Sequence, residues 1–225
     1  MKTIGLIVIV LATPVLMGAA YYQHTQLTYN FRYRLTVEVE TPQGLKSGSS
    51  VIEVKAGLRS ALPNPGLKAW DKVAGDAVLI YLGDGRVIVA VHASGPTANE
   101  EGPGEVIPRA FGLPGGVDGW RQMEGKVTGS VVLQADNLPT FLIFEDIDDP
   151  EGARVLAPQD FPETLGTGFV FKQALVELTD EPLTRGIDKR ISWLAAMREN
   201  ERTHGAYGIA GQLNLYSWLF EGEIR

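Results

Sequence analysis

The sequence predicts a mainly β domain, sandwich-like or α+β, preceded by one amino-terminal transmembrane helix and completed by one or two packed helices. Three observations predict this. Residues 4–20 read IGLIVIVLATPVLMGAA, and no Lys, Arg, Asp or Glu occurs from Thr3 to Phe31. Several later segments alternate apolar and polar residues with the two-residue period of a half-buried strand. The 26 glycines and 13 prolines supply the turns that join short strands.

The first element is the apolar segment. A helix from Ile4 to Tyr22 would be roughly 28 Å long at 1.5 Å per residue, which matches the hydrocarbon thickness of a bilayer. Tyr21 and Tyr22 then fall where an interfacial aromatic belt is expected. The rival is a secretory signal peptide, with Lys2 as its n-region and Gly18-Ala19-Ala20 as a small-residue cleavage stretch. Retention is the preferred reading, giving an anchor over 1–22, a polar stalk over 23–28 and a β-rich domain over 29–225. A short amino tail before a large domain favours the domain on the outer side of the membrane.

Within the domain, YNFRYRLTVEVET places Phe31, Tyr33, Leu35, Val37 and Val39 on one face and Arg32, Arg34, Thr36, Glu38 and Glu40 on the other. Residues 49–56 return as a second strand after a turn over 42–48. Residues 57–75 contain Pro63, Pro65 and Gly66 and read as irregular. Ala77–Leu82 and Arg86–Ala93 flank Asp84-Gly85, a tight-hairpin signal because glycine accepts positive φ. Both runs are apolar on both faces, as central strands of a layered core would be. Residues 94–125 hold eight glycines and four prolines and read as a long loop. Further strands are expected over 126–134, 139–145 and 169–178. Ile187, Ile191 and Leu194 recur at helical spacing, predicting an amphipathic helix near 184–200. The last twenty residues carry no definite assignment.

Composition excludes some chemistry. The chain has no cysteine, so it has no disulfides, thiolate metal sites or thiol nucleophile. A formal charge of −7 disfavours nonspecific binding to nucleic acid or to anionic lipid headgroups, and no nucleic-acid partner is expected.

Candidate residues are few. Glu145, Asp146, Asp148, Asp149 and Glu151 crowd one strand end and could offer calcium its hard oxygen ligands. The EF-hand pattern fails there, because position five from Asp146 is Pro150, so a solvated acidic loop is preferred. His92 and His204 lack a local two-ligand spacing such as HExxH. His92 and Ser94 would share a strand face, but the G-x-S-x-G elbow of a serine hydrolase is absent. The glycine-rich FGLPGGVDG and ETLGTGF match neither phosphate-loop nor dinucleotide patterns. Lys189, Arg190, Arg198 and Arg202 interleave with Asp188, Glu199 and Glu201 and read as a salt-bridged helix face. Among Trp70, Trp120, Trp193 and Trp218, the last lies in the apolar LYSWLF and could dock on a partner or membrane surface. No catalytic, cofactor or metal residue is assigned.

The segments FEDIDDPEGARVLAPQDFPETLGTGF and LTDEPLTRGIDKRISWL, with the opening RLTVEVETPQGLKSGSSVIEV, resemble a family of uncharacterised bacterial membrane-anchored proteins. The resemblance covers most of the chain. It implies a small envelope-associated domain and no transferable catalysis.

The expected function is a non-catalytic accessory or protein-interaction domain of the bacterial envelope. Its partners would be membrane lipid, through residues 4–22, and a membrane protein. It would sit in the inner membrane with its domain in the periplasm, or be released there or secreted after cleavage. The alternatives are a membrane-anchored hydrolase using His92 or His204 with carboxylates, or a calcium- or small-ligand-binding envelope module.

Overall fold

A computed structural model describes residues 27–61, 64–95, 101–124, 128–204, 209–210 and 214–222. The expected transmembrane helix and most of the stalk lie outside these residues. No helix among the described residues is long and apolar enough to cross a membrane.

Two antiparallel sheets pack face to face. The large sheet holds β1 (Leu27–Thr41), β2 (Gly44–Ala61), β3 (Asn64–Ala74), β6 (Ser130–Val132) and β9 (Val170–Leu178). Their spatial order is β3-β2-β1-β9-β6. The small sheet holds β4 (Val78–Tyr81), β5 (Val87–Ser94), β7 (Pro139–Phe144) and β8 (Arg154–Val155), in the order β4-β5-β7-β8. The β-rich, two-sheet character expected of the sequence is therefore present.

The alternation in β1 decides which face is buried. Phe31, Tyr33, Leu35, Val37 and Val39 enter the space between the sheets, with Ile52, Val54 and Ala56 of β2 beside them. Ile80, Ile88, Phe141 and Ile143 meet them from the small sheet. Gly48 lets the sheets approach, since a Cβ there would lie 2.2 Å from the Leu79 carbonyl oxygen. The β1–β2 turn is tighter than expected. Thr41 pairs with Gly44 and its hydroxyl bonds the Gly44 carbonyl at 2.8 Å, so only Pro42 and Gln43 lie outside the ladder. The hairpin around Asp84-Gly85 forms as expected, with Gly83 and Gly85 both at positive φ.

Three expectations are corrected. The stretch 57–75 is not irregular; β2 runs on to Ala61 and pairs with β3 from Ala61↔Asn64 to Glu53↔Ala74. Pro65 does not prevent this because it falls at the hairpin end, where few ladder bonds are needed; Pro63 lies outside the described residues. The long loop at 94–125 contains two helices, α1 (Pro103–Ala110) and α2 (Gly116–Met123). Their glycines and prolines hide them from a periodicity reading, and packing stabilises them instead. Val106, Ile107, Trp120 and Met123 are buried in the inter-sheet core. Strands of 15 and 18 residues outrun the four- to eight-residue strands of β4, β5 and β7 opposite, and these helices cover the surplus apolar face.

The third correction concerns the helix near 184–200. Residues 181–186 have no helical turns, Ile187–Lys189 is a single 3-10 turn, and after a short α3 (Phe161–Leu165) the next α-helix is α4 (Leu194–His204). The spaced Ile187, Ile191 and Leu194 are all buried, together with Met197, but they come from two separate pieces. A two-strand ribbon, β10 (Ile209–Ala210) and β11 (Asn214–Leu215), and α5 (Trp218–Glu221) follow. These carboxy-terminal pieces bury Leu215, Leu219 and Phe220 against Leu79, Val87, Val89, Val91, Leu142 and Phe144 on the outer face of the small sheet. The apolar run that could have docked on a partner or membrane surface instead packs on the core, leaving Trp218 half-buried.

Candidate interaction surface

Among the described residues, the small sheet is covered on both faces, whereas the large sheet keeps its outer face largely open. That face is built by the even residues of β1, the odd residues of β2 and their neighbours in β3, β9 and β6. One segment crosses it. After β9, the Thr179 amide bonds the Arg32 carbonyl at 3.1 Å. Glu181 then pairs with Arg34. Thr184 next bonds Val51 twice, accepting from its amide through Oγ1 at 2.9 Å and donating to its carbonyl at 3.1 Å. Residues 179–186 thus form a strap from β9 over β1 to the free edge of β2, past the end of β3.

The strap is fastened at Asp76. The Asp76 amide donates to the Thr184 carbonyl at 3.1 Å, and its Oδ2 accepts from the Ile187 amide at 2.9 Å. Its own carbonyl accepts from Ser50 Oγ at 2.5 Å. Burial drives the Asp76 carboxyl up to about 6, against the lowering effect of the Ile187 amide and Arg185. Glu221, buried beside Arg198 at 2.8 Å, is also raised by its burial.

The strap divides the open face in two. Beyond it, towards the β1–β2 turn, Leu45, Glu40 and Val170 lie in one cross-strand row. Two rows further in, Thr36, Leu175 and Val132 form another. Leu45 is 54% exposed, Val170 45% and Val132 38%. Three of the five large apolar side chains most exposed among the described residues therefore share this half-face. Glu38 and Glu40 supply its charge, with Gln173 donating to Glu38 at 2.8 Å.

On the other side of the strap the surface is polar and basic. Arg32 bonds Glu53 at 2.8 Å, and Lys55 lies 3.3 Å from the same carboxylate. Burial pushes Glu53 up, but its two cationic partners outweigh this and hold it below the usual range. Beside it, Asn30, Arg32, Glu53, Glu124 and Asp180 line an open cleft of about 440 Å³.

The sequence candidates do not assemble into a catalytic group. His92 is buried, its Nε2 is 2.9 Å from the Gly75 carbonyl oxygen, and burial pushes its imidazole down to about 4. It is a neutral, hydrogen-bonded core histidine. Ser94 Oγ donates to the Glu101 carbonyl at 3.2 Å. His204 is exposed at the end of α4, with Nδ1 2.8 Å from Thr203 Oγ1.

The acidic loop is exposed and turned on itself. Asp146 and Asp149 side chains accept from the Asp148 and Glu151 amides at 3.0 and 3.1 Å. Asp148 accepts from Ser192 at 2.6 Å, and Glu145 pairs with Arg154 at 2.9 Å. Among the described residues no group of three or more His, Asp or Glu is placed to hold a metal. Arg202 pairs with Glu199 at 2.6 Å along α4, but Arg198 reaches Glu221 outside that helix and Glu201 accepts from Ser217, so only part of the expected salt-bridged face forms.

The surface could have been found from one signal. The even positions of β1 are Thr, Asn, Arg, Arg, Thr, Glu and Glu, without an apolar residue to attract a covering helix. The exposed Leu45, Val132 and Val170 could not, because their strands pair only in three dimensions. No protein-family model, curated protein or solved structure matches this chain.

Proposed function

We propose that this protein is a non-catalytic, membrane-anchored accessory domain of the bacterial envelope, held in the inner membrane by residues 4–22 with its sandwich on the periplasmic side. The observation that carries the reading is the apolar half-face of Leu45, Val132 and Val170 on the outer side of the large sheet. It lies at the opposite end of β1 from the residue where the amino-terminal segment enters, so an anchored domain would hold it away from the bilayer. An apolar patch rimmed by Glu38 and Glu40 suits a protein partner. Tethering raises the local concentration of that partner, so a modest interface suffices.

Photo-crosslinking of the full chain in native membranes tests this, with a photoreactive residue at Val132 or Val170 and a control at Asp118. The expected result is one product of the same mass from both test positions, absent from the control and lost in Leu45→Glu. Indistinguishable products from all three positions, or none, would overturn the interface. Extraction of the chain by alkaline carbonate would overturn the anchor.

A further inference from the structure

The basic half of the large sheet lies at the end where the chain enters. Leu27 opens β1 opposite Leu58, and the β2–β3 hairpin continues past it to Ala61↔Asn64. The apolar segment ends at Tyr22, so at most four residues separate it from Leu27. At about 3.4 Å per residue, the fully extended reach is on the order of 17 Å.

The outward rows of this hairpin pair like with like. Lys55 stands opposite Lys72, Gly57 opposite Trp70 and Arg59 opposite Lys68. Lys55, Arg59 and Lys68 are exposed and Trp70 is half-exposed above Gly57. Like charges directly across a ladder are unfavourable; Glu53 offsets Lys55 at 3.3 Å, whereas the Arg59–Lys68 pair of β2 and β3 has no carboxylate in its row. Leaving Lys72 aside, Arg32, Lys55, Arg59 and Lys68 stand in these rows with the carboxylate of Glu53, and Glu124 and Asp180 lie in the cleft beside Arg32, on a chain of formal charge −7. Asp71, between Trp70 and Lys72, belongs to the opposite face, close to Gly102 and Gly104.

We propose that Lys55, Arg59 and Lys68, with Trp70 among them, bind the anionic phospholipid headgroups of the bilayer that holds residues 4–22. This rests on the anchored reading. Cations within about 10 Å of an anionic surface are attracted before salt screens them. Tryptophan partitions to the headgroup level. Such contacts would orient the sandwich and direct the Leu45–Val170 end outward.

The test reconstitutes the full chain in bilayers of brominated phosphatidylcholine, with and without about one-third phosphatidylglycerol. Trp70 emission is taken as the difference between the parent and Trp70→Phe. In the anionic bilayer that emission should be quenched at least about twofold more than in the neutral one, and about 0.5 M salt should reverse it. The triple variant Lys55→Gln/Arg59→Gln/Lys68→Gln should behave as in neutral lipid while unfolding at the same or a higher denaturant concentration. Equal quenching in both bilayers by a chain that floats with neutral vesicles overturns the headgroup site and leaves the anchor standing; it would point to a protein partner for the patch. A chain that does not float with neutral vesicles overturns the anchor. Its salt-sensitive sedimentation with phosphatidylglycerol vesicles, lost in the triple variant, would then uphold the headgroup site, and failure to sediment would overturn it.

Discussion

The outer faces of the two sheets meet opposite fates. On the small sheet, Val87, Val89, Val91, Leu142 and Phe144 face outward and are buried under the carboxy-terminal third of the chain. On the large sheet, the residues in the same structural role are Arg32, Arg34, Thr36, Glu38 and Glu40, crossed among the described residues by the 179–186 strap. The difference lies in apolar area: burying a large aliphatic or aromatic side chain stabilises by about 1.5–3 kcal/mol, whereas covering a charged row costs desolvation. The carboxy-terminal elements therefore settle on one sheet and not on the other.

Truncation should show this asymmetry most strongly at Phe220, which is fully buried and meets the Trp193 ring edge-on at 5.3 Å. Phe220→Ala is expected to lower unfolding stability by about 3–5 kcal/mol in a denaturant titration. A loss below about 1 kcal/mol would mean that the carboxy-terminal cover is dispensable.

The junction between the faces comes next. Asp76→Ala should cost about 1–3 kcal/mol by leaving the Ile187 amide without its acceptor. This site also carries a pH signature. The folded Asp76 carboxyl is raised from 3.8 to about 6, so its protonation contributes stability that is complete below 3.8 and lost as pH rises through 6. His92 acts in the opposite sense. Its folded value is lowered from 6.5 to about 4, so it contributes stability present above 6.5 and lost as pH falls through 4. The two oppose each other between pH 4 and 6.5. In Asp76→Asn, stability should fall as pH drops across that window. In His92→Gln it should rise. Unchanged profiles in both variants would remove the two groups from the account.

Smaller effects are expected on the open face. Arg32→Ala breaks a half-exposed pair with Glu53 and should cost about 0.2–1 kcal/mol, diminishing with salt. Leu45→Ala and Val132→Ala should change stability by less than about 0.5 kcal/mol. If either costs as much as a core truncation, the half-face is covered by part of this chain and is not an interface.

Legibility in the sequence followed locality. The β1 alternation and the Asp84-Gly85 hairpin were readable because their signals lie within a few residues. Helices α1 and α2 were not, since Gly102-Pro103 and Pro114-Gly115 read as loop and only the opposing sheet stabilises an eight-residue helix beside them. Trp218 and Phe220 read as surface candidates for a related reason. Phe220 meets Trp193 and accepts from the Ala77 amide, both far away in sequence. Of the candidate surface, the polar row of β1 was legible, but the placing of Leu45 and Val170 in one row depends on β2 and β9 both flanking β1.

By itself, the sequence determined a long uncharged apolar start, a β-rich domain without cysteine, and the burial side of β1, because a two-residue period assigns every side chain to one face or the other. Only the tertiary structure decided which sheet the carboxy-terminal residues cover, that Asp76 fastens the strap, and that four cations face one another across β2 and β3. Those outcomes depend on register between distant strands, and pairing energy is set by the partner opposite as much as by the residue itself.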